Sequence, residues 1–377
     1  MILNENILNH IDASAQEALD LLMELGKIPC PSNHEEKRAE FCKQWIEKQG
    51  AKGVYIDEAL NVVYPLGCTE DNPLVVFMAH TDVVFPDTEE LPMSVSDGKL
   101  YCPGIGDDTL HLVALLMAAK YIAQNDMLPK DCGLLLIANS GEEGLGNLKG
   151  VRHIFEKFGH RVKEFITFDG PSTGICTTAV GSKRYKIEID TEGGHSYSRF
   201  GNRNAIAYLA SLIDTLYTIK VPNRGKTTYN VGTISGGTSV NTIAQHAEML
   251  YEFRSDNRED LAEMEAHLQA ALAFYATKGI KVTTTLVGDR PCGIEVDTKK
   301  HDALIQRGIE ATEKYFGFTP TRKSGSTDCN IPLSMGIPSI MVSCGAGEGA
   351  HTREEYIEID SQVPGLKVAF ELILHYM

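Results

Sequence analysis

The chain has 377 residues, of which 43% are hydrophobic and 23% are charged. These proportions are ordinary for a soluble globular protein and exclude long disorder or a coiled coil as the main architecture. At roughly 150 residues per domain, the length predicts two domains or one large one. The 35 basic and 51 acidic residues give a net charge of −16. Such a surface repels a phosphate backbone, so we expect no nucleic-acid partner.

The nine cysteines are scattered and include no Cys-x-x-Cys pair. This usage predicts reduced thiols in a reducing compartment. The acidic first 26 residues lack the basic start and the cleavage site of a signal peptide. No apolar run approaches the ~20 residues that a membrane helix needs. We therefore expect a cytoplasmic protein with no membrane partner.

The first 180 residues alternate helical and strand-like patterns. Amphipathic periodicity predicts helices over residues 15–25, 36–49 and 110–123. Ser32 followed by Glu35 predicts a capping box before the second of these helices. Short apolar runs predict buried strands over residues 74–79, 133–138 and 165–168. Apolar strands between helices are typical of a largely parallel sheet that is covered on both faces.

Near residue 181 the pattern changes to that of a small α+β domain. Alternating residues predict antiparallel strands over 184–191 and 247–254, and helical patterns cover 205–217 and 260–278. After about residue 290 the α/β pattern returns, with a helix over 302–316, a strand over 339–342 and a helix over 361–375. We predict an α/β domain formed by residues 1–180 and 289–377 and interrupted by an inserted α+β domain, residues 181–288.

Polar residues follow the predicted strands and turns of the α/β domain. They are His80-Thr81-Asp82, Asp107-Asp108, Glu142-Glu143, Asp169 and, much later, His351. Because ligands bind beyond the carboxyl ends of the strands in an open α/β sheet, we expect these side chains to meet at one edge. Carboxylates crowded together must protonate, separate or bind a cation. Two imidazoles with three carboxylates suit a pair of Zn²⁺ ions that share a bridging carboxylate, which predicts a hydrolase site.

Roles within this set follow from spacing. His80 and Asp82 share a face if the strand continues, so that Asp82 can accept the other ring N–H of His80. Of the adjacent Glu142 and Glu143, only one can comfortably bind metal, which leaves the other to take a proton from water on the metal. Each feature alone also has a simpler interpretation, as a strand-end histidine, a solvated charged turn or a helix cap. Their convergence favours the metal site.

These motifs resemble, in family order, those of the M20 family of dinuclear zinc peptidases, and most closely its tripeptide aminopeptidase (peptidase T) branch. The matching segments lie between about residues 32 and 358. They are His80-Thr81-Asp82, Gly106-Asp107-Asp108, Gly141-Glu142-Glu143-Gly144, Phe168-Asp169-Gly170, Gly193-Gly194-His195, Gly236-Gly237 with Asn241, Ser326-Thr327-Asp328 and Gly349-Ala350-His351.

The resemblance implies a zinc-exopeptidase-type catalytic domain with a mostly parallel central sheet. It implies two Zn²⁺ ions per subunit, for which Co²⁺ or Mn²⁺ are possible substitutes. Asp107 would bridge the two ions. His80 and Asp169 would complete one metal site, and Glu143 and His351 would complete the other.

The resemblance also assigns the reaction. Glu142 would be the general base, and Asp82 would hold the neighbouring metal-binding histidine. The inserted domain would be the lid through which these enzymes commonly form homodimers. His195 would stabilise the oxyanion, often in the active site of the partner subunit, while Asn241 and Arg254 would contact substrate.

Several positions keep alternatives. Thr109-Leu110 stands where the family usually has a lysine, and the following His111 is either a third imidazole on the metal side or a residue that faces helix packing or nearby acids. His195 can also be a turn residue. Arg254 can pair with an acid such as Glu252 instead of contacting substrate, and Asp328 can serve only to brace its loop.

The expected activity is metal-dependent hydrolysis of amide bonds in short peptides, with release of N-terminal residues from di- and tripeptides. The alternative within the family is an N-acyl amino acid deacylase or carboxypeptidase, in which Arg254 grips a free carboxylate. A non-catalytic metal- or peptide-binding protein that keeps the fold is the alternative from a different class.

Overall fold

The computed structural model of the protein describes residues 3–170 and 173–377. Its helices are α1 (Glu5–Ala13), α2 (Ala15–Lys27), α3 (Glu36–Lys48), α4 (Leu110–Gln124), α5 (Lys149–Phe158), α6 (Ala205–Leu216), α7 (Arg258–Ala276), α8 (Thr298–Phe316), α9 (Asn330–Ser334) and α10 (Gln362–Leu374). Its first strands are β1 (Tyr55–Ile56), β2 (Val62–Leu66), β3 (Leu74–His80), β4 (Ser94–Ser96), β5 (Lys99–Tyr101), β6 (Gly133–Asn139), β7 (Val162–Phe168), β8 (Gly174–Ala179) and β9 (Gly181–Asp190). The remaining strands are β10 (Gly194–His195), β11 (Thr227–Gly236), β12 (Thr242–Ile243), β13 (His246–Ser255), β14 (Lys281–Arg290), β15 (Thr321–Gly325), β16 (Ser339–Val342), β17 (Gly347–Glu348) and β18 (Tyr356–Glu358).

The chain divides into two compact units. Unit 1 comprises Met1–Ala179 and Ile294–Met377, and unit 2 comprises Val180–Gly293. The boundary predicted at residue 288 falls inside β14, which continues to Arg290.

Unit 1 is built on an eight-stranded sheet in the order β1-β2-β6-β3-β7-β16-β8-β15. Its four central strands, β6, β3, β7 and β16, run parallel. Alternate residues of β3 enter different cores. Val75 and Phe77 pack in the core that includes α4 and α10, whereas Val76 and Met78 pack in the core that includes α5. Burial on both faces explains the continuous apolar sequence of this strand.

A second, four-stranded sheet of unit 1 flanks two loops that carry Asp107 and His351. Its order is β17-β18-β5-β4. The chain leaves β5 and enters the turn Ile105–Thr109, which carries Asp107. The antiparallel pair β17 and β18 encloses the loop that carries His351. Because β18 pairs with β5, through Tyr356 opposite Tyr101, the two loops start from neighbouring strands.

Unit 2 is an α+β structure with the antiparallel sheet β11-β13-β9-β14. Alternate residues of β9 and β13 are buried, and α6 and α7 pack against these strands. The two helices start at asparagine caps, since the Asn204 side chain accepts from the Ile206 N–H and the Asn257 side chain accepts from the Asp260 N–H. The strand β11 lies at an edge of the sheet and is largely exposed.

The fold class predicted from the sequence, α/β with a mainly parallel central sheet, is confirmed. The predicted capping box is wrong. Ser32 Oγ donates instead to Asp82 Oδ2 at 2.7 Å, and Glu35 Oε1 accepts the Asn33 N–H at 2.8 Å. A hydroxyl bond to a buried carboxylate is charge-assisted, so it is stronger than a bond between the hydroxyl and a helix N–H. Across residues 3–170 and 173–377, none of the helices has the length and apolar character needed to cross a bilayer.

Candidate active site

Parallel strands bring the predicted residues to one edge of the sheet of unit 1. The strand β3 ends at His80, β6 ends at Asn139, and Asp169 directly follows β7. Ligand atoms of His80, Asp108 and Asp169 lie within 4.8 Å of one another, and those of His80, Asp107 and Glu143 do so as well.

Asp107 lies between two imidazole rings. Its Oδ1 is 3.0 Å from His80 Nε2, and its Oδ2 is 3.1 Å from His351 Nε2. The same His351 nitrogen is 2.9 Å from Glu143 Oε1. One carboxylate therefore presents a different oxygen to each of two imidazole nitrogens, an arrangement that would suit a ligand shared by two cations.

The ring of His80 is oriented by the main chain. Its Nδ1 lies 2.9 Å from the carbonyl oxygen of Asp82, while the nearer carboxylate oxygen of Asp82 lies at 3.5 Å. A carbonyl oxygen can only accept, so Nδ1 carries a proton, and when the ring is neutral the lone pair of Nε2 faces Asp107. The expected support from the Asp82 carboxylate is thus supplied mainly by its carbonyl. The reason is that β3 ends at His80, so Asp82 no longer follows the alternation of the strand.

The carboxylate of Asp82 holds the turn that carries both glutamates. Its Oδ1 accepts the N–H of Glu142 and its Oδ2 accepts the N–H of Glu143, each at 3.0 Å, and Ser32 Oγ donates to Oδ2 as well. All three acidic residues are buried. Asp82 therefore fixes the backbone of the two glutamates together.

The shifts in pKa reflect the close packing of the buried carboxylates. Burial, reinforced by neighbouring carboxylates, raises the pKa of Asp169 and of Asp108 well above the usual range. Burial also acts on Asp107, but hydrogen bonds from His351 and His80 outweigh it and lower the pKa of Asp107. Hydrogen bonds to Asp107 and Glu143 raise the pKa of His351 to about 10. Without cations, some acids of this cluster must be neutral, whereas divalent ions would allow all of them to ionise.

The donor set fits a pair of zinc ions. Imidazole nitrogens and carboxylate oxygens are ligands that Zn²⁺ takes in catalytic sites. The lone pair of His80 Nε2, aimed at a carboxylate oxygen, is repulsive unless a cation or a second proton lies between the two atoms. The two imidazole–carboxylate pairs share Asp107, which suits a two-metal site.

His111 faces an acid and a hydroxyl. Its Nδ1 is 2.8 Å from Asp108 Oδ1, without hydrogen-bond geometry, and its Nε2 is 3.1 Å from Ser343 Oγ. Burial lowers the pKa of His111. The alternative in which this ring faces nearby acids therefore describes the structure. Asp108 in turn accepts the backbone N–H of His80 at 2.7 Å.

The sequence analysis missed a buried cation behind the site. Arg38, on α3, donates to the carbonyl oxygens of Ile28 and Thr81, each at 2.9 Å. Its Nη1 also donates to Thr109 Oγ1 at 3.2 Å, at the position where the family usually has a lysine. Its spacing within α3 gave no signal beyond that of an ordinary surface arginine.

Two further side chains brace the loops. Asp328 accepts the amide N–H of Asn139 at 2.7 Å, which agrees with the expected bracing role. Glu355, also missed from the sequence, accepts backbone N–H groups of Gly104, Gly106 and Asp107. Its only sequence signal is its place four residues after His351.

The three remaining candidates lie in unit 2. His195 is exposed, and its Nδ1 accepts the N–H groups of Tyr197 and Ser198 at 3.3 and 3.4 Å. This ring thus carries its proton on Nε2 when neutral. Asn241 is its neighbour, because β10 pairs with β12 and the Asn241 carbonyl accepts the Ser196 N–H at 2.9 Å.

Arg254 forms an ion pair with Glu252, which was one of the two alternatives for this residue. Its Nε and Nη2 lie 3.2 and 3.0 Å from the two carboxylate oxygens of Glu252. Arg184 also donates to Glu252, at 3.3 Å.

Comparison with known proteins places the chain in a class and then in a family. The α/β fold and the imidazole–carboxylate cluster are those of a metal-dependent hydrolase. The family model of peptidase family M20/M25/M40 matches residues 76–375. The chain belongs to this family, and it is a hydrolase that acts on amide bonds.

Individual relatives differ in their named activities. Protein YqjE of Bacillus subtilis (strain 168) is 24% identical over 383 residues, which cover 94% of this chain and 97% of YqjE. Acetylornithine deacetylase of Pasteurella multocida is 24% identical over 355 residues, covering 89% of each chain. A tripeptidase structure from Staphylococcus aureus superposes with a TM-score of 0.76 at 21% identity, covering 95% of this chain and 97% of the tripeptidase. The last similarity concerns the fold alone.

Proposed function

We propose that the protein is a dizinc aminopeptidase that releases N-terminal residues from di- and tripeptides. The observation that carries the proposal is Asp107, whose two oxygens face His80 and His351 at 3.0 and 3.1 Å. In this proposal Asp107 would bridge the ions, His80 and Asp169 would hold one of them, and Glu143 and His351 would hold the other. Co²⁺ or Mn²⁺ are possible substitutes for Zn²⁺.

The chain's own groups then carry the proton transfers. Zinc ions held by these residues would supply Lewis-acid polarisation of the scissile carbonyl and would acidify a water molecule. Glu142 takes the proton of the attacking water and later returns it to the leaving amine. Asp82 keeps Glu142 in place through its backbone N–H. His195 donates its Nε2 proton to the oxyanion, a role supported by the two backbone N–H groups on its Nδ1. Asn241, the neighbour of His195, contacts the substrate.

The fold's second candidate function is a deacylase or carboxypeptidase of the same family. It is favoured by Arg254, whose guanidinium binds the Glu252 carboxylate with two bonds, a geometry that also suits a substrate carboxylate. The deacetylase relative supports it as well. In this function Arg254 binds the free carboxylate of an N-acyl amino acid or a peptide C-terminus.

A homodimer through unit 2 is also part of the proposal. Within residues 3–170 and 173–377, the strand β11 has no strand partner on its outer edge, and such edges readily pair with another chain. Tyr197, Phe200 and Val240 are at least 89% exposed. They lie on the neighbouring segments joined by the β10 and β12 pairing. Light scattering should give twice the monomer mass, and Phe200→Asp should reduce it to the monomer value.

The experiment that tests the activity begins with metal-free protein. It is assayed alone and with added Zn²⁺, Co²⁺ or Mn²⁺ on tripeptides with free, N-acetylated and C-amidated ends. Cleavage that needs a free amino end supports the aminopeptidase, and cleavage that needs a free carboxylate and tolerates acetylation supports the second function. Absence of hydrolysis with every metal would favour a non-catalytic metal- or peptide-binding protein. Elemental analysis of His80→Ala and Asp169→Ala should show lost metal, and full metal content in both would reject the ligand set.

A further inference from the structure

Glu355 joins the two loops that carry Asp107 and His351. It lies between the His351 loop and the strand β18 and is 1% exposed. Its Oε2 accepts the Gly104 N–H at 2.6 Å, and its Oε1 accepts the N–H groups of Gly106 and Asp107, both at 2.8 Å. One carboxylate thus satisfies three backbone donors of a single turn.

The turn and the carboxylate are fitted to each other. A side chain at Gly106 would bring its Cβ within 3.2 Å of both Glu355 Oε1 and Ile357 Cγ2. The backbone of Glu355 is fixed as well, because its carbonyl accepts the Cys102 N–H at 3.1 Å. The position of the turn is therefore fixed relative to Glu355, and one of the hydrogen bonds that fix it comes from the backbone N–H of Asp107.

The free-energy cost of burying the Glu355 carboxyl group indicates that it has a function. A carboxylate buried beside other carboxylates is expensive, and a neutral side chain could satisfy one or two of the three donors more cheaply. The two oxygens of the carboxyl group accept all three N–H groups, whereas an amide has a single accepting oxygen. Glu355 thus holds the backbone of Asp107, whose carboxylate lies between His80 and His351.

We propose that Glu355 is a positioning residue that fixes Asp107 between the two imidazoles and thereby sets the affinity of the site for zinc. This inference rests on the proposed metal site. Glu355 touches the backbone of the turn and acts through Asp107. Residues that orient a metal ligand typically affect metal affinity or activity by about 10- to 100-fold.

The test is a zinc titration of Glu355→Gln against a competing chelator, with Zn²⁺ alone as the probe. It is run at a temperature where circular dichroism shows the native fold. The amide keeps the size of the side chain but places its own N–H groups against a backbone N–H. We expect zinc affinity to fall by at least about tenfold, with activity recovering in excess zinc and the KM for peptide unchanged.

Two variants serve as matched controls. Glu354→Gln alters the exposed neighbour and should bind zinc as the wild type does. Asp260→Asn removes another buried carboxylate that clamps a loop, since Asp260 accepts the Gly225 N–H at 3.0 Å in unit 2. It should lower thermal stability without changing zinc affinity. If Glu355→Gln does not fold, Gly106→Ala displaces the carboxylate more gently and should weaken zinc binding in the same direction.

Wild-type zinc affinity in Glu355→Gln would overturn the inference, as would an equal loss of affinity in Asp260→Asn. Either result would leave the proposed metal site intact, because the wild type would still bind zinc. A wild-type protein that binds no zinc would overturn the proposed function and this inference together.

Discussion

Most candidate functional residues of unit 1 are buried, whereas two of the three in unit 2 are exposed. In unit 1, His80, Asp82 and Glu143 are buried, and each makes hydrogen bonds that fix it. In unit 2, His195 and Asn241 are exposed on short strands and turns. A buried polar group must be satisfied or it costs folding free energy, whereas an exposed one is solvated by water. Substituting one of these three residues of unit 1 should therefore change metal binding or stability, whereas substituting His195 or Asn241 should change activity alone.

The largest effect should follow from Glu142→Gln. Removing the proton acceptor should lower kcat by about 10²- to 10⁴-fold, the range that general base catalysis contributes. Metal content should stay at the wild-type value because Glu142 is not among the proposed ligands. Steady-state kinetics and elemental analysis measure the two quantities. Glu156→Gln, at an exposed position of α5, is the matched control. Unchanged kcat in Glu142→Gln would reject the assignment.

His195→Ala sharpens the contrast between the units. Loss of an oxyanion donor should lower kcat by about 10²- to 10³-fold. Melting temperature and metal content should not change, because the His195 side chain is exposed. Ser198→Ala, its exposed neighbour, should behave as the wild type. A variant that loses stability along with activity would contradict the separation of roles.

Asp82→Asn should show the combined cost expected of unit 1. The neutral side chain cannot accept both N–H groups of Glu142 and Glu143 while keeping its bond from Ser32. Activity or metal affinity should fall by about 10- to 100-fold, and the free energy of unfolding should fall by about 1–3 kcal/mol. Ser32→Ala removes only the hydroxyl and should have a smaller effect on both. Denaturant titration and metal titration on the same samples provide the comparison, which fails if Asp82→Asn changes only one of them.

The smallest effect is a pH dependence of the metal-free protein. The pKa of His351 rises from 6.5 to about 10 on folding, mainly through its hydrogen bond to Asp107. The folded state thus binds this proton more tightly, so the stabilisation is complete below pH 6.5 and is lost as pH rises to about 10. The melting temperature of chelator-treated protein should fall across that interval, and His351→Gln should flatten the slope. Zinc replaces the proton, so the loaded protein should lack the slope from this residue.

Burial also explains which parts of the fold were predictable. The strands β3 and β6 are buried along their whole length, so their apolar runs were clear. The strands β11 and β15 were missed because most of their residues are polar or exposed. Neither has an apolar run, and the apolar alternation of β11 is confined to Tyr229 and Val231 in its first half. The helix α8 begins at Thr298, four residues before its predicted start, because the Asp297 side chain caps it.

The same argument applies to the site. The metal-ligand candidates could be predicted because they directly follow buried strands or glycine turns. The carbonyl of Asp82 that orients His80 could not, because its position depends on where β3 ends. Arg38 and Glu355 act on backbone atoms of segments remote in sequence, and a backbone partner leaves no residue pattern.

Glu355 and Asp107 are separated by 248 residues, and the whole of unit 2 is encoded between them. A growing chain on the ribosome therefore exposes the Gly104–Asp107 turn long before its acceptor has been synthesised. Until translation has passed unit 2 and reached Glu355, the N–H groups of Gly104, Gly106 and Asp107 lack this acceptor. Premature termination anywhere before residue 355 would yield a polypeptide that lacks the carboxylate acceptor of these three N–H groups.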